Sequence, residues 1–476
     1  MRLRTAATAL VAATLAPLVL TAPTAHAASA ATPAAPYDFN GDGRADLAIG
    51  APGATVAGQA GAGAVSVVHS GTGGPSTSTR TLLTQNTAGV PGSAEAGDAF
   101  GTSVASADLD RDGYADLVVG APGEDTSSDT NDGVATIVWG SASGLSGART
   151  VNNFAHSGHD RYGLSLAAGD FDADGHPDIA VGATGSMMLT HVPGPITRSG
   201  PWYGGTAQGV GAYLESQGVP YLSSGDVTGE GFDVLVTHGH RNGGGSFTDL
   251  RNGNTAHSGD WFSYLPPGYV SAVGDIDGDG YGDIAVGNDR EPSADFQGVL
   301  GGQVTIVYGS PQGRDRDRPE VVLTQNTAGV PGASEAGDRF GSGVALGDVN
   351  GDGYADLVVG AAGENSGAGA VTVLYGSASG LTTKGAASYS QNSTGVPGGS
   401  EKGDLFGARV VLTDHTGDGR ADLSLSGTGE NSGDGSVWFL RGTATGLTTT
   451  GATSFGPAST GVSTAGSPRF GTALGG

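Results

Sequence analysis

Short apolar runs recur along this chain, and each follows a stretch of aspartate and glycine. The run LVVGA at 117–121, for example, comes directly after DLDRDGYAD at 108–116. Runs this short, rich in valine, isoleucine and alanine and bounded by glycine, indicate β-strands. No window of comparable length shows the 3.6-residue period of an amphipathic helix. The pattern therefore predicts an all-β chain.

The acidic stretch is an internal repeat. A decayed copy, DVTGEGFDVLVTHG, begins at 226, and complete copies begin at residues 38, 108, 170, 275, 348 and 414. A Phe-Gly or Tyr-Gly pair precedes several copies, and a β-type run with a glycine-rich turn follows, as in GVATIVWGSASGL at 133–145. Four short strands in a unit of about 50–70 residues are typical of a β-propeller blade, whose faces become buried when blades stack in a ring.

The two ends of the chain predict how this ring closes. The first unit begins at Tyr37, directly before its acidic stretch, and has no Phe-Gly strand ahead of it. The chain ends with RFGTALGG at 469–476, a Phe-Gly strand with no acidic stretch after it. We expect residues 470–476 to complete the first blade. The prediction is a seven-bladed β-propeller with four-stranded blades, closed by the C-terminal strand joining the N-terminal blade.

The first 27 residues have the pattern of a secretory signal peptide. Arg2 and Arg4 precede an apolar stretch, and the small residues of AHA at 25–27 supply a cleavage site. A membrane anchor is the alternative, but Pro17 and Pro23 interrupt the apolar run and keep it short. We therefore predict a signal peptide at 1–27, an Ala/Pro-rich linker at 28–36, the propeller at 37–476, and a secreted, extracellular protein.

Charge and cysteine content narrow the possible partners. The chain has 47 acidic and 21 basic residues, a formal net charge of −26, and no cysteine. Such a chain repels nucleic acid and anionic lipid and attracts cations. Since no disulfide can staple an exported chain that lacks cysteine, another means of stabilisation is expected. We predict no nucleic-acid partner, no membrane span and a monomer.

These units resemble FG-GAP repeats, the blades of integrin alpha-chain propellers and of many secreted bacterial proteins. The resemblance rests on the Phe-Gly pairs, the acidic stretches and the GAP triplets at 50–52 and 120–122, and it covers essentially everything after residue 36. It is weak between 185 and 268, where the motifs vanish. The resemblance implies recognition or adhesion outside the cell, with an extracellular protein or glycan as ligand. Propellers of this family also occur attached to hydrolases, including a secreted phospholipase.

The acidic stretches have the ligand pattern of a calcium site. Oxygen-bearing side chains at positions 1, 3, 5 and 9, with glycine at position 6 for the sharp turn, suit the six to eight oxygen ligands of Ca²⁺. By match to the family's loop, the residue at position 7 would donate its backbone carbonyl. About six structural ions are expected. The predicted ligands are, at position 1, Asp38, Asp108, Asp170, Asp275, Asp348 and Asp414; at position 3, Asn40, Asp110, Asp172, Asp277, Asn350 and Thr416; at position 5, Asp42, Asp112, Asp174, Asp279, Asp352 and Asp418; at position 7, Arg44, Tyr114, His176, Tyr281, Tyr354 and Arg420; at position 9, Asp46, Asp116, Asp178, Asp283, Asp356 and Asp422.

Three other interpretations of these stretches are weaker. An EF-hand requires glutamate at position 12, where this chain has apolar residues such as Ile49 and Val119. Mg²⁺ dehydrates reluctantly, and ordinary solvated turns would leave clustered carboxylates to repel one another. In the decayed copy, Asp233 stands at position 8, and with Asp226 and Glu230 it has lost the ligand spacing. We expect no ion there.

The chain contains no common catalytic motif, so we predict a binding protein and leave two alternatives open. One is a hydrolase, of esterase or phospholipase type, with a site in the irregular blades 3–5 that uses His191, His238, His240 or His257. The other is a structural exoprotein scaffold. If the acidic loops occupy one face of the disc, the opposite face carries connections with glutamates, and these are candidate ligand contacts: Glu95, Glu124, Glu335, Glu364, Glu401 and Glu430.

The irregular segment is rich in aromatic residues. We expect most of them to fill the core, where small repeat residues are missing, although exposed rings could stack on sugars. They are Trp202, Tyr203, Tyr213, Tyr221, Trp261, Phe262, Tyr264 and Tyr269.

Overall fold

Seven four-stranded antiparallel sheets form the fold. The computed structural model describes residues 32–126, 129–155, 158–209, 214–240, 245–251, 262–293 and 297–476, and the predicted signal peptide lies outside them. Blades 1 to 3 contain β1 (Leu47–Ala51), β2 (Ala64–Gly71), β3 (Gly74–Leu83); β4 (Ser103–Ala107), β5 (Asp116–Ala121), β6 (Val134–Val138), β7 (Ala148–Thr150); and β8 (His159–Gly169), β9 (Asp178–Gly185), β10 (Leu189–Val192), β11 (Thr206–Gln208).

The remaining blades have the same strand order. They contain β12 (Tyr221–Gly225), β13 (Val234–His240), β14 (Ser246–Arg251), β15 (Phe262–Leu265); β16 (Val270–Gly274), β17 (Asp283–Asn288), β18 (Gln303–Val307), β21 (Val321–Leu323), with a small hairpin of β19 (Gly309–Ser310) and β20 (Gly313–Arg314); β22 (Phe340–Gly347), β23 (Asp356–Ala361), β24 (Ala370–Tyr375), β25 (Thr382–Tyr389); and β26 (Phe406–Thr413), β27 (Asp422–Gly427), β28 (Ser436–Thr443), β29 (Gly446–Phe455).

The last strand of the chain closes the ring. β30 (Leu474–Gly475) lies antiparallel to β1, with Ala48 opposite Gly475 and Ile49 opposite Leu474. It becomes the innermost strand of blade 1 and contacts β4 and β26, the innermost strands on either side. The predicted all-β, seven-bladed ring with this closure is confirmed.

Each blade's second strand is buried on both faces, because it lies between two neighbouring blades. All described side chains of β1, β5 and β23 are buried. This position explains why the sequence shows continuous apolar runs here instead of alternation, which is typical of sheets covered on both sides.

An aromatic side chain seals most of the seams between blades. Phe100, at the entrance to blade 2, is fully buried and packs with Val65 of blade 1 and Val119 of its own blade. Its backbone N–H donates to the carbonyl of Ala62 at 3.0 Å, which joins the two blades through the main chain as well. Equivalent buried rings are Tyr162, Phe340, Phe406 and Phe470.

Glycine is required where these seams are tightest. A Cβ atom on Gly120, the glycine of the second GAP triplet, would lie 2.0 Å from the carbonyl oxygen of Gly163 in the next blade. A Cβ on Gly50 would lie 2.1 Å from the carbonyl oxygen of Gly101. No side chain fits at these distances, so the Phe-Gly pair and the GAP triplet are two halves of one contact between neighbouring blades.

Helix is a minor element of the fold. The helices within the described residues are α1 (Glu364–Gly367), α2 (Glu430–Gly433) and α3 (Pro457–Thr460), and none of them is long or apolar enough to span a membrane. In α1, Asn365 and Ser366 have positive φ angles of 53° and 66°, so this segment is a tight turn between two strands.

The aromatic residues of the irregular segment are less buried than expected. Tyr203 and Tyr264 are 66% and 58% exposed. Trp202, Tyr221 and Tyr269 are half-buried. The expectation that most of these rings fill the core is therefore wrong for Tyr203 and Tyr264; Tyr213, Trp261 and the side chain of Phe262 lie outside the described part.

Replacing the closing aromatic side chain should weaken the whole ring. We expect Phe470→Ala to lower the free energy of unfolding by about 3–5 kcal/mol, because it leaves a cavity at a fully buried seam. The control is Val322→Ala, since Val322 is 52% exposed and its truncation should change stability by less than about 0.5 kcal/mol. Urea unfolding measures both variants, and equal effects would show that the closing seam adds no stability.

Candidate functional site

The six complete acidic loops lie on one face of the disc, each directly before the second strand of its blade. In blades 2, 3, 5, 6 and 7 the loop connects the first strand to the second; in blade 1 the first strand is β30. The aspartate at position 1 organises each loop by accepting backbone N–H groups. Asp108 accepts from Asp112 at 3.1 Å and from Gly113 at 3.0 Å. Asp414 accepts from Asp418 at 3.1 Å and from Gly419 at 2.7 Å. These bonds bend the loop into a tight turn.

The aspartate at position 9 anchors the loop to the body of the blade. Asp116 is fully buried and accepts N–H bonds from Leu109 at 2.9 Å and from Gly140 at 2.8 Å. Gly140 follows the third strand, so one carboxylate ties three parts of the blade together. The same two-sided arrangement recurs at Asp178, Asp283, Asp356 and Asp422.

Burial makes the charged form of four position-9 aspartates unfavourable. Burial, with smaller contributions from neighbouring carboxylates, raises the pKa of Asp116 to about 8 and the pKa of both Asp283 and Asp356 to about 7. Burial likewise raises the pKa of Asp422 to about 6. A cation among these carboxylates would favour their charged form and lower their pKa values.

Three loops bring three carboxylates within reach of one ion. In each group one oxygen per residue lies within 4.8 Å of the others; the groups are Asp108, Asp110 and Asp116; Asp170, Asp172 and Asp178; and Asp275, Asp277 and Asp279. In the loops of blades 1, 6 and 7, position 3 is the neutral Asn40, Asn350 or Thr416. These loops offer the same oxygen positions with one charge fewer.

Unpaired buried oxygens at position 3 fit a metal ligand. Asp110 Oδ1 and Asn350 Oδ1 are buried and have no hydrogen-bond partner among the described residues. A buried polar atom without a partner is unfavourable, so such atoms commonly face an ion or an ordered water. The donors are all oxygens, as hard cations such as Ca²⁺ and Mg²⁺ prefer.

Arginine side chains lie on two of the loops. Arg198 of blade 3 contacts Asp110 and Asp112 of blade 2, each at 2.5 Å. Arg318 forms an ion pair with Asp277 in blade 5 and lies over the ring of Tyr308. An arginine and a metal ion would compete for these oxygens. Sequence reasoning missed both arginines, because neither is near its partner in the chain.

The side chains at position 7 connect neighbouring loops. A Cβ on Gly41 in blade 1 would lie 2.7 Å from the ring of Tyr114 in blade 2. Arg44 of blade 1 donates to the carbonyl of Thr416 in blade 7 at 3.2 Å. The predicted role of position 7, a backbone carbonyl ligand, stays a prediction. Its side chain has a separate role in packing one loop against the next.

The decayed loop keeps the backbone hydrogen bonds of position 1 but not the carboxylate anchor of position 9. Asp226 still accepts N–H bonds from Thr228, Gly229 and Gly231, at 2.7–3.0 Å. Asp233 instead contacts Asp170 of blade 3: its carboxylate accepts the N–H of Asp170 at 3.1 Å, and its own N–H donates to the Asp170 carbonyl at 2.8 Å. Burial raises the pKa of Asp233 to about 6. No carboxylate therefore occupies the anchoring position of this loop.

The histidines of the irregular blades have structural contacts. His238 is fully buried, contacts Ser271 at 2.7 Å and Thr248 at 3.2 Å, and burial lowers its pKa to about 4. His191 lies 3.1 Å from Asp178, and the ring of His240 packs against Tyr269. These three do not converge on one site, and His257 lies outside the described residues.

A cavity of about 710 Å³ opens on the face opposite the acidic loops. It lies where the connections of blades 2 and 3 meet the irregular segment. Its charged lining residues are Asp160, Arg161 and Glu215, with Thr130 and Asn131 beside them. The glutamates predicted to contact a ligand lie on this same face, after the second strand or before the first strand of their blades.

Comparison with known proteins agrees with this architecture. The family model for the FG-GAP repeat matches residues 30–68, 100–138, 162–209, 267–313 and 340–374. These segments fall in blades 1, 2, 3, 5 and 6. The irregular blade 4 lies between two of them.

Two kinds of characterised protein are similar to parts of the chain. Phosphatidylinositol-glycan-specific phospholipase D of Homo sapiens is 34% identical over 154 residues, 29% of this chain and 18% of the relative. Integrin alpha-PS2 of Drosophila melanogaster is 28% identical over 222 residues, 42% of this chain and 15% of the relative. Integrin alpha-7 of Rattus norvegicus is 36% identical over 146 residues, which are 29% of this chain and 12% of the relative. The matched region thus spans less than a fifth of each of these relatives. With the closed ring and the repeated loops, these matches support an integrin-like β-propeller in which five segments match the FG-GAP repeat.

Proposed function

We propose that this chain is a secreted, calcium-stabilised propeller that recognises an extracellular protein or glycan and has no catalytic activity. The observation that carries the proposal is that the two faces of the ring differ in structure. One face holds the oxygen-lined loops, and the other holds the connections and the 710 Å³ cavity. Similarity to integrin alpha chains supports a recognition role for such a ring.

Calcium is the cation that best fits the loops. Their ligands are carboxylate, amide and hydroxyl oxygens in a flexible turn, which suits the large and variable coordination sphere of Ca²⁺. The Asp110 and Asn350 oxygens supply ligands with no other partner among the described residues. An ion at each loop would join the first and second strands of its blade, a role that disulfides cannot fill in a chain without cysteine.

Secretion and a monomeric state are parts of the same proposal. The segment at 1–27 has the charge and apolar pattern of a signal peptide. Extracellular calcium, at about millimolar concentration, is in the range that extracellular calcium modules bind. The net charge of −26 disfavours self-association at low ionic strength.

Hydrolysis is the second candidate, and one observation favours it beyond the similarity to phospholipases D. Ser271 and His238 lie in hydrogen-bond contact at 2.7 Å, as a nucleophile and its base would. Ser271 is only 3% exposed, however, and the second nitrogen of His238 faces Thr248 and not a carboxylate. The pair therefore lacks both substrate access and an orienting acid, and recognition is the better-supported function.

Calcium should raise the melting temperature, and a single loop substitution should reduce this effect. For the protein comprising residues 28–476, we expect calcium to raise the melting temperature, chelator to reverse the rise and Mg²⁺ to reproduce it poorly. Each occupied site adds about 2.7 kcal/mol to the free energy of unfolding at a hundredfold excess of calcium over Kd. Asp348→Asn should lower the increase, because it weakens the position-1 ligand. Differential scanning calorimetry with and without calcium measures it.

The matched control is Asp226→Asn in the decayed loop. Both aspartates accept three backbone N–H bonds, so both variants should lose similar stability in chelator. Only Asp348→Asn should change the calcium effect. An equal change in both variants, or no calcium effect at all, would contradict ion binding by the complete loops.

Stability without calcium should increase as the pH falls from about 8 to 5.5. The raised pKa values at position 9 mean that the folded chain binds protons more readily than the unfolded chain in this range. This stability is complete below the unfolded pKa near 4 and is lost as pH rises through about 6–8. In excess chelator we expect a melting temperature about 5 °C higher at pH 5.5 than at pH 8. Saturating calcium should reduce this difference in melting temperature, because protons at pH 5.5 then displace the stabilising ion. A melting temperature in chelator that falls on acidification would contradict this account.

Ligand recognition should depend on the cavity. In a panel of immobilised matrix proteins and glycans, we expect a binder whose affinity falls at least about tenfold in Asp160→Ala/Glu215→Ala, equivalent to about 1.4 kcal/mol. Surface plasmon resonance in calcium measures it. Asp317→Ala, which removes an exposed carboxylate from blade 5, is the control and should bind as the wild type does.

The same protein should be incubated with esters and phosphodiesters. We expect no turnover. Hydrolysis that Ser271→Ala abolishes while the protein stays folded would replace recognition with the hydrolase alternative.

A further inference from the structure

Three seams on the face opposite the acidic loops share an unusual group of side chains, which we call the seam clusters. Each contains a glutamine from the end of one blade's outer strand and an aspartate and a glutamate from the next blade. The clusters are Gln85, Asp98 and Glu124 between blades 1 and 2; Gln325, Asp338 and Glu364 between blades 5 and 6; and Gln391, Asp404 and Glu430 between blades 6 and 7.

The geometry of the seam clusters is the same in all three places. Gln85 Nε2 donates to Glu124 Oε2 across the seam. The corresponding bonds are 2.7 Å from Gln325 to Glu364 and 2.8 Å from Gln391 to Glu430. Partners are 39 residues apart in each case, so the contact belongs to the repeat.

The aspartate of each seam cluster is held beside this pair. Asp98, Asp338 and Asp404 are 2–3% exposed. Each accepts one backbone N–H, from Glu95, Glu335 or Glu401, at 2.5–2.6 Å. The backbone carbonyl of each aspartate accepts the N–H of the glycine that precedes the cluster glutamate, such as Gly123. Aspartate and glutamate are thereby fixed next to each other.

The glutamine oxygen of every seam cluster lacks a partner. Gln85, Gln325 and Gln391 are only 2–5% exposed, yet their Oε1 atoms have no hydrogen-bond partner among the described residues. Leaving a buried amide oxygen unsatisfied costs about 1–3 kcal/mol. Turning the amide over would not help, because its oxygen would then face a glutamate carboxylate. The same unsatisfied atom at three equivalent positions marks a place that an ion or an ordered water would fill.

The aspartates of the seam clusters lie near other carboxylates. Burial, and then neighbouring carboxylates, raise the pKa of Asp98, Asp338 and Asp404 despite the backbone N–H bond that each accepts. The charged groups that act on them are acidic: Glu95 and Asp125 on Asp98, Glu364, Glu335 and Glu291 on Asp338, and Glu401 on Asp404. A buried amide oxygen without a partner among the described residues, on a side chain that contacts a carboxylate, is an arrangement that a cation would complete.

We propose that each seam cluster binds a divalent cation, with the glutamine Oε1 and the glutamate carboxylate as ligands from adjacent blades. The aspartate adds charge next to the ion, and water completes the coordination of a hard cation. The ion joins one blade to the next, whereas the acidic loops join strands within a blade. These sites use none of the DxDxDG residues, so the inference stands or falls separately from calcium binding by the loops.

The seam clusters are absent where the sequence changes at their key position. At the end of blade 2's outer strand, Asn153 replaces the glutamine, and its Nδ2 contacts His159 Nε2 at 2.6 Å. A histidine therefore fills the place where the other seams have a carboxylate. The expected ions occupy three seams, and the 2–3 seam, which borders the 710 Å³ cavity, has a different chemistry.

Neutralising the three glutamates should have opposite effects with and without calcium. We expect Glu124→Gln/Glu364→Gln/Glu430→Gln to melt below the wild type in calcium, because it loses ligands. In excess chelator it should melt above the wild type, because three half-buried charges are gone. The calcium-induced rise should therefore be smaller by about 5 °C or more. If the glutamates serve only as hydrogen-bond acceptors for the glutamines, the variant melts lower in both conditions, and the proposal is overturned.

Two further measurements separate this inference from its alternatives. Gln85→Glu/Gln325→Glu/Gln391→Glu should enlarge the calcium-induced rise, since it adds a charged ligand, while Asp348→Asn on the other face should reduce it with the seam clusters intact. Crystals of the wild type grown with Mn²⁺ test the site directly and do not depend on any variant folding. An anomalous peak within about 2.5 Å of Gln85 Oε1 supports the proposal, and a water molecule alone at that oxygen overturns it.

Discussion

The structure depends on the apolar contact between one blade and the next. A single four-stranded blade exposes two apolar faces, and only a neighbour on each side buries them. The buried aromatic ring at the entrance of a blade and the glycine pair beside it make this contact close, as at Phe100 and Gly120. Because every blade needs two neighbours to bury its faces, we expect an open ring to be unstable. The short strand β30 closes the ring by pairing with β1.

The burial of carboxylates opposes this packing, because the charged form of a carboxylate is unfavourable away from water. The packing that buries the seams also buries carboxylates, and no described aspartate at position 9 is more than 1% exposed. Backbone N–H groups offset part of this penalty, but the raised pKa values of Asp116, Asp283 and Asp356 show that they do not remove it. Cations therefore complete the fold in our proposal, within blades at one face and between blades at the other.

The fold and the candidate site differed in how far they could be predicted. Seven blades, their strand order and the closing strand followed from a repeat that is visible in the sequence, since each copy carries its own strand and turn signals. The loop ligands were predicted as positions in that repeat, and their ion stays a prediction. The contacts of Arg198 with Asp110, of Arg318 with Asp277 and of Asp233 with Asp170 were not predictable, because each joins residues with no sequence pattern between them.

The sequence by itself determined the architecture of this protein, because local periodicity and glycine placement decide where strands and turns occur in every blade. Only the tertiary structure decided which side chains meet across a seam, since those pairs depend on how far each blade is rotated against the next. The residue before each seam aromatic illustrates the difference. Ala99, Arg339 and Leu405 share no chemistry, yet all have φ near +60°, a strained conformation that the close contact of two blades imposes on them.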